Sequence, residues 1–484
     1  MDTLLYIDNE PRQASGEAKF ARRSPVNDEV VTTGAAASAA DAIAAVESAH
    51  QSYLSWSQTG PGLRRALLLK AADEIEKRIE DFVTAMKGEV GSGELWARFN
   101  VMMAANLFRE AASMTTQIQG NTIPSDKPGT LSMTVRQPVG VILSIVPWNG
   151  PVVLAARAIA YPLMCGNTVV FRASETSPKT HALVAEAVHA AGFPPGTLNF
   201  VTNDPKDAAE VIDAMIAHPA VRRVNFTGST HVGRIIAEKC GRHLKRCILE
   251  LGDKSPMIVL DDADIDGAVN ATIFGAFLYQ GQICMTNERV IVDEAVADRF
   301  VEKLVERASA LEAGDPRVQP ACALGPVISK GAAERLNALL EDAVSKGARI
   351  RAGGPATNEA LMAATVLDGV TPEMRIYGEE AFGPILQVIR VSSADEAVRV
   401  ANDTEYGLSA AVFGTDINKA LDVALRIQTG GVHINGATVA NEAQAPYGGT
   451  KSSGYGRFDS RAVIDEFTEL KWITIESPSQ QYPL

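Results

Sequence analysis

The chain has 484 residues, 46% hydrophobic and 21% charged, enough apolar material for two or three globular domains with cores of their own. A net charge of -13 with acids and bases interspersed excludes nucleic acid as the main partner. Five cysteines (Cys165, Cys240, Cys247, Cys284, Cys322) with no Cys-x-x-Cys argue against a disulfide framework or zinc ribbon and for a reducing, cytoplasmic setting.

The seven histidines form no His-Glu-x-x-His or His-x-x-His, so no metal site is expected. The first residues, Met1-Asp2-Thr3-Leu4-Leu5-Tyr6-Ile7-Asp8, carry no basic region or long apolar run, and no signal peptide is expected. Residues 36–116 have apolar positions at helical spacing. The apolar stretch 139–171 is broken by Pro147, Asn149, Arg157 and Asn167, so it reads as strand, helix and strand rather than a membrane span.

From there strands are predicted at 139–146, 168–171, 198–201 and 221–226, alternating with helices at 151–164, 179–191, 207–217 and from 230 to about 240. Repeated units of this kind imply a doubly wound, mostly parallel sheet of the α/β class. A second α/β pattern begins near Cys247, with strands at 257–260, 289–292, 385–389, 408–413 and 431–435 and helices at 265–278 and 296–310. The tail 466–475 alternates like a strand, either at the edge of its own domain or added to a neighbouring subunit.

Parallel sheets bind ligands beyond the carboxyl ends of their strands, and several motifs fall there. Phe226-Thr227-Gly228-Ser229-Thr230 follows a strand and opens a helix, where free N–H groups favour a phosphate. Arg172-Ala173-Ser174-Glu175 ends another strand; Glu175 is either an acceptor for a ribose hydroxyl or a helix-start acid. Asn149 in Pro147-Trp148-Asn149-Gly150 is an amide donor suited to an oxyanion, or an ordinary turn residue. Cys284, in Gly281-Gln282-Ile283-Cys284, is a covalent nucleophile or a small buried hydrophobe. Glu250, in Glu250-Leu251-Gly252, is a base for water or a solvated acid.

Together with Glu379-Glu380-Ala381-Phe382-Gly383-Pro384 and Pro446-Tyr447-Gly448-Gly449, these motifs resemble the aldehyde dehydrogenase superfamily over nearly the whole chain, in order and in spacing. The resemblance implies an NAD-binding domain at 1–117 and 139–248, a second α/β catalytic domain at 249–459, and a small β oligomerisation arm at 118–138 and 460–484, in a homodimer or homotetramer. It implies that Cys284 attacks an aldehyde, that Asn149 holds the oxyanion, and that Glu250 activates the water that hydrolyses a thioester. NAD is the implied cofactor, met by Trp148, Arg172, Glu175, Gly228, Ser229, Glu380 and Phe382. Gly150, Arg157, Trp96, Leu278, Met285 and Tyr447 are implied to line the substrate pocket.

Departures from the family pattern bear on the substrate. Gly150 stands where a bulky aromatic is usual, which leaves room for a ring. Ala158 replaces a lysine, with Arg157 before it, either to meet a phenolic oxygen or as a salt-bridged helix arginine. The expected substrate is a hydroxylated aromatic aldehyde, salicylaldehyde foremost. The alternatives are a benzaldehyde or vanillin type and a non-catalytic dinucleotide-binding homologue. Asp253 replaces a glycine. It is expected to suit a left-handed backbone, or to raise the pKa of Glu250 by like-charge repulsion, with Lys254 neutralising it. Arg172 replaces a ribose-contacting lysine.

Overall fold

The computed structural model describes residues 1–356, 360–480 and 482. Residues 357–359 of the expected catalytic domain and 481, 483 and 484 of the expected arm lie outside the described residues. No helix among the described residues is long and apolar enough to cross a membrane.

The first sheet has eight strands, in the order Gly454–Tyr455, Arg246–Glu250, Val221–Thr227, Val141–Ile145, Thr168–Arg172, Leu198–Val201, Leu5–Ile7 and Glu10–Arg12. The five central strands are parallel. From Val141–Ile145 the chain winds outward to Leu198–Val201, then returns to the other side at Val221–Thr227. The winding therefore reverses between Val141–Ile145 and Val221–Thr227, and a crevice opens above that point. Trp148 and Asn149 follow one of these strands, and Gly228 and Ser229 follow the other.

Pro151–Met164 packs beside this sheet with all fourteen residues buried. Its small Ala155, Ala156, Ala158 and Ala160 let neighbouring helices approach on every side, as an all-round apolar helix requires. Its helical neighbours are Glu94–Met114, Pro178–Ala190 and Pro61–Lys77, and the N-terminal helical layer that supplies two of them begins with Ala39–Trp56. Ser38 opens it with a capping box: its Oγ accepts from the Asp41 N–H at 3.2 Å while Asp41 accepts from the Ser38 N–H at 2.8 Å.

The second sheet runs Arg349–Ala352, Thr365–Asp368, Ile385–Val391, Arg289–Asp293, Pro256–Val259, Ser409–Phe413 and Gly431–Ile434. Only its first strand is antiparallel. A three-stranded arm pairs Thr468–Ile475 with Leu131–Pro138 along eight residue pairs, and Leu131–Pro138 with Thr122–Ile123. The tail strand thus pairs within its own chain and keeps one edge open, with Leu470, Trp472 and Ile475 exposed.

The predicted elements from 139 to 240 occur within a few residues of their expected ends. The short strands before residue 36 were not predicted, being two to six residues each with mostly polar or exposed positions. Nor were the helix Lys330–Ser345 and the strands Arg349–Ala352 and Thr365–Asp368. Gly454–Tyr455 adds to the edge of the first sheet although 249–459 is expected in the second domain.

Asp253 corrects three expectations. Its backbone is not left-handed. Its carboxylate accepts hydrogen bonds from the Leu408 and Ser409 N–H groups at 3.1 and 3.0 Å and from the Ser255 hydroxyl, tying the crossover from the first sheet to the start of Ser409–Phe413. Lys254 does not neutralise it; its ammonium pairs with Glu288 and donates to the Glu379 carbonyl at 2.6 Å. Asp253→Ala leaves buried donors unpaired, at about 1–3 kcal/mol each. The expected outcome is a clearly lower urea midpoint of unfolding at unchanged slope. A wild-type midpoint contradicts the tie.

Candidate active site

Cys284 lies just after the turn Leu278–Gly281, in which Tyr279, Gln280 and Gly281 have φ of 50°, 53° and 68°. Two successive non-glycine residues in this region are strained and persist only where the surroundings enforce them. Here they do. The Gln280 amide donates to the Pro326 carbonyl at 2.9 Å, and Gln282 Oε1 accepts from the Ile328 N–H at 2.8 Å. The Tyr279 ring stacks on Trp96 at 5.3 Å. A Cβ on Gly281 would sit 2.3 Å from the Gly383 carbonyl oxygen, so only glycine closes this turn.

Asn149 is bound into the same frame. Its Nδ2 donates to the Gln282 carbonyl at 3.1 Å, and its carbonyl accepts from Trp96 Nε1 at 3.0 Å. One amide hydrogen of Asn149 remains, and the Cys284 N–H meets no acceptor among the described residues. These are two donors for an oxyanion beside the thiol.

Two cavities meet at this point, and Cys284, Asn149 and Leu154 line both. The first is a cleft of about 1180 Å³, walled by Trp148, Gly228, Ser229, Glu380 and Phe382. Ser229 caps Thr230–Arg242 by accepting from the Val232 N–H at 3.4 Å, so the open helix start faces the cleft. The Phe382 ring meets Trp148 edge to face at 5.8 Å. Glu380 accepts from the Asp253 N–H at 3.1 Å, and burial, with Glu288 nearby, pushes its pKa up to about 8. Arg172 and Glu175 do not line this cleft. They form an ion pair at 2.9 Å after Thr168–Arg172, and Arg172 also donates to Asn203 at 2.8 Å.

The second cavity, about 370 Å³, is lined by Trp96, Gly150, Arg157, Leu278, Met285 and Tyr447, all six residues expected there, and by Phe99, Val153 and Phe274. A Cβ on Gly150 would make only ordinary contacts of 3.6 Å with Asn100 and Leu154, so close packing does not require glycine here, and any side chain at this position would take up space along the cavity wall. Arg157 takes the ion-paired alternative. Its guanidinium donates to Asp459 at 3.2 and 2.8 Å and lies 4.1 Å from the centre of the Tyr447 ring. Its Nη1 has no hydrogen-bond partner among the described residues.

The Tyr447 hydroxyl lies 3.0 Å from Cys284 Sγ. Burial pushes the Cys284 pKa up to about 11, while the Tyr447 hydroxyl and Arg157 act to lower it. Glu250 is buried and lines neither cavity, and among the described residues no well-formed hydrogen bond reaches its two oxygens, the Gly449 N–H being the neighbouring donor. Burial raises its pKa to about 8, opposed by Arg157 and Arg457. Asp459 adds to the rise, but Asp253 is not among the main causes. The expected repulsion from Asp253 is therefore replaced by desolvation.

Asp459, Gln282 and Tyr279 were not anticipated. Asp459 is 302 residues from its partner in sequence. The signal that could have found it is Arg157 itself, because a charge in an apolar helix demands a buried acid.

This geometry and the whole-chain comparisons agree. The chain belongs to the aldehyde dehydrogenase family, whose sequence model matches residues 12–473, and it is an oxidoreductase of that family. It is 59% identical over 483 residues to a salicylaldehyde dehydrogenase of Pseudomonas putida, covering 100% of both chains. A vanillin dehydrogenase of Pseudomonas sp. strain HR199 is 53% identical over 480 residues, 99% of each. The crystal structure of a salicylaldehyde dehydrogenase from Pseudomonas putida G7 complexed with salicylaldehyde superposes with a TM-score of 0.99 at 58% identity, covering 100% of both.

The Tyr447 hydroxyl, 3.0 Å from Cys284 Sγ, acts to lower the thiol pKa. Tyr447→Phe should therefore raise the thiol pKa and slow iodoacetamide alkylation of Cys284 roughly tenfold at a given pH, the worth of one hydrogen bond to a charged group. Unchanged alkylation would remove Tyr447 from this role.

Proposed function

We propose that this chain oxidises hydroxylated aromatic aldehydes, salicylaldehyde foremost, to their carboxylic acids with NAD. The observation that carries this reading is the position of Cys284, at the junction of a dinucleotide-sized cleft and an apolar, ring-lined cavity with a guanidinium in its wall. The cleft exceeds the ~300–1,000 Å³ of ordinary small-molecule pockets.

The residues fit a dinucleotide. Gly228 and Ser229 offer a helix start to a pyrophosphate, and Trp148, Glu380 and Phe382 wall the end nearest the thiol. Glu175 is the residue proposed to accept from the adenosine ribose and to disfavour a 2′-phosphate. Bound there, the nicotinamide supplies the hydride acceptor.

The protein's own groups do the rest. Cys284 reacts as the thiolate, its proton having gone to solvent: the sulfur bonds to the aldehyde carbon, and the carbonyl pair moves onto oxygen, held by Asn149 and the Cys284 N–H, and the sulfur leaves again as thiolate at the end. Collapse of that oxyanion expels hydride and leaves a thioester on Cys284. Glu250 takes a proton from water as its oxygen bonds to the acyl carbon, and the carbon–sulfur bond breaks. The sum converts aldehyde and water to acid, with hydride and a proton leaving.

The ring lies among Trp96, Leu278, Met285 and Tyr447 in the space beside Gly150. The free Nη1 of Arg157 is the donor proposed for an oxygen ortho to the aldehyde. A vanillin or benzaldehyde type remains the second reading, favoured by the 53% identical relative. We also propose that the open-edged arm joins subunits into a homodimer or homotetramer in the cytoplasm, supported by its exposed Leu470 and Trp472.

Three measurements test this reading. With NAD, kcat/KM should be highest for the ortho isomer among the three hydroxybenzaldehydes; a preference for a long aliphatic aldehyde contradicts it. Glu175→Gln should narrow the preference for NAD over NADP, and an unchanged ratio removes Glu175 from that role. Where thioester hydrolysis limits turnover, kcat should rise with pH through about 8 as Glu250 ionises and then level off. A limb that persists in Glu250→Gln belongs to another group.

A further inference from the structure

Arg157 is the only charged residue in Pro151–Met164, and that helix is entirely buried. Two buried carboxylates bear on it. Asp459 takes it in a two-point ion pair, with both side chains at most 3% exposed. Glu250 lies against the segment that carries Tyr447: a Cβ on Gly448, the residue after Tyr447, would be 2.9 Å from its Oε1. No well-formed hydrogen bond reaches either of its oxygens among the described residues, the Gly449 N–H being its neighbouring donor, and Arg157 acts with Arg457 to hold its pKa down against burial.

The backbone delivers Asp459 to this place at some strain. Asp459 and Ser460 have φ of 59° and 50°, a pair of non-glycine residues in the left-handed region. The turn is pinned by Tyr447 and Phe458, which exchange backbone hydrogen bonds at 2.9 and 2.8 Å, and by the Ser460 N–H donating to the Ala443 carbonyl at 3.3 Å. Asp459 and Tyr447 therefore approach Arg157 from one rigid unit, the acid at its fork and the ring over its face.

We propose that Asp459 is a positioning residue for thioester hydrolysis: by holding Arg157 against the Tyr447 ring, it keeps the guanidinium from pairing with Glu250 and leaves that carboxylate free to accept a proton from water. The inference rests on the reading of Glu250 as the base. The charged and titratable groups acting around Glu250 are Arg157 from its helix, Arg457 and Asp459 from the C-terminal turn, Tyr447, and Cys284. Those around Asp459 are Arg157, Tyr161 and Glu110. Removing the Asp459 charge both frees Arg157 and takes a negative charge away from Glu250. Each change favours the ionised form of Glu250, and the first occupies it.

The test is transient and steady-state kinetics of the full-length enzyme with NAD and salicylaldehyde. Asp459→Asn is expected to keep the initial burst of NADH and to lose steady turnover roughly tenfold or more, with the acid limb of turnover moved to lower pH. Removing the competitor as well, in Asp459→Asn with Arg157→Met, is read with benzaldehyde, which has no ortho oxygen for Arg157 to meet, and is expected to recover part of the turnover that Asp459→Asn loses on that substrate. A merely structural role predicts a double variant no better than the single, and that result overturns the proposal. Wild-type turnover and pH dependence in Asp459→Asn also overturn it. Should Asp459→Asn not fold, Arg157→Met alone gives the second reading: Glu250 is left with Asp459 uncompensated, the acid limb moves to higher pH, and an unmoved limb overturns the proposal. Glu250→Gln tests the underlying reading separately. If it hydrolyses the thioester as fast as the wild type, Glu250 is not the base, whatever Asp459 does.

Discussion

The proposed chemistry depends on one constraint: a thiol has to stand where two cavities meet, with its oxyanion donors and its base on different pieces of chain. The strained turn Tyr279–Gln280–Gly281 meets it. It is enforced by contacts from several directions, namely Pro326 and Ile328, the Gly383 carbonyl, and Trp96, which also fixes Asn149. Cys284, Asn149 and Trp96, the proposed nucleophile, oxyanion donor and ring wall, thus share one frame.

Around that frame the protein divides its charges by depth. The cofactor-sized cleft carries Glu380, with its pKa raised by burial, and an open helix start at Ser229. The ring-lined cavity carries Arg157, neutralised at its fork by Asp459. Glu250 lines neither cavity, and burial raises its pKa to about 8, in the range that suits the role of water-activating base proposed for it. A free guanidinium would pair with such a carboxylate and occupy it, so on the proposal made above the ion pair at Asp459 bears on reactivity as well as on packing. A buried pair of this kind is weak evidence for stability in itself, yet losing one partner costs about 3–5 kcal/mol.

Much of this was legible in the sequence because the signals are local. Apolar runs alternating with helical spacing gave the strands and helices between 139 and 240, and Ser229 announced the helix start after Val221–Thr227. Gly150, Trp96, Leu278, Met285 and Tyr447 were placed through motifs in family order, and they share one cavity. What stayed hidden depends on contacts distant in sequence. The short N-terminal strands owe their form to pairing partners such as Leu198–Val201. Asp253 looked like a backbone or charge problem next to Glu250, but its carboxylate turns to Leu408 and Ser409, more than 150 residues away. Asp459 has no motif at all, and only the unmatched charge of Arg157 pointed to it.

The central claim is that Cys284 carries the acyl group and Glu250 releases it. Mass spectrometry of the Glu250→Gln enzyme, quenched after reaction with NAD and salicylaldehyde, tests this most directly. The account predicts a salicyloyl thioester on the peptide containing Cys284, accumulating to near stoichiometry and absent when NAD is omitted. An enzyme that forms NADH with no acyl group on Cys284, or with the acyl group on another cysteine, would contradict it.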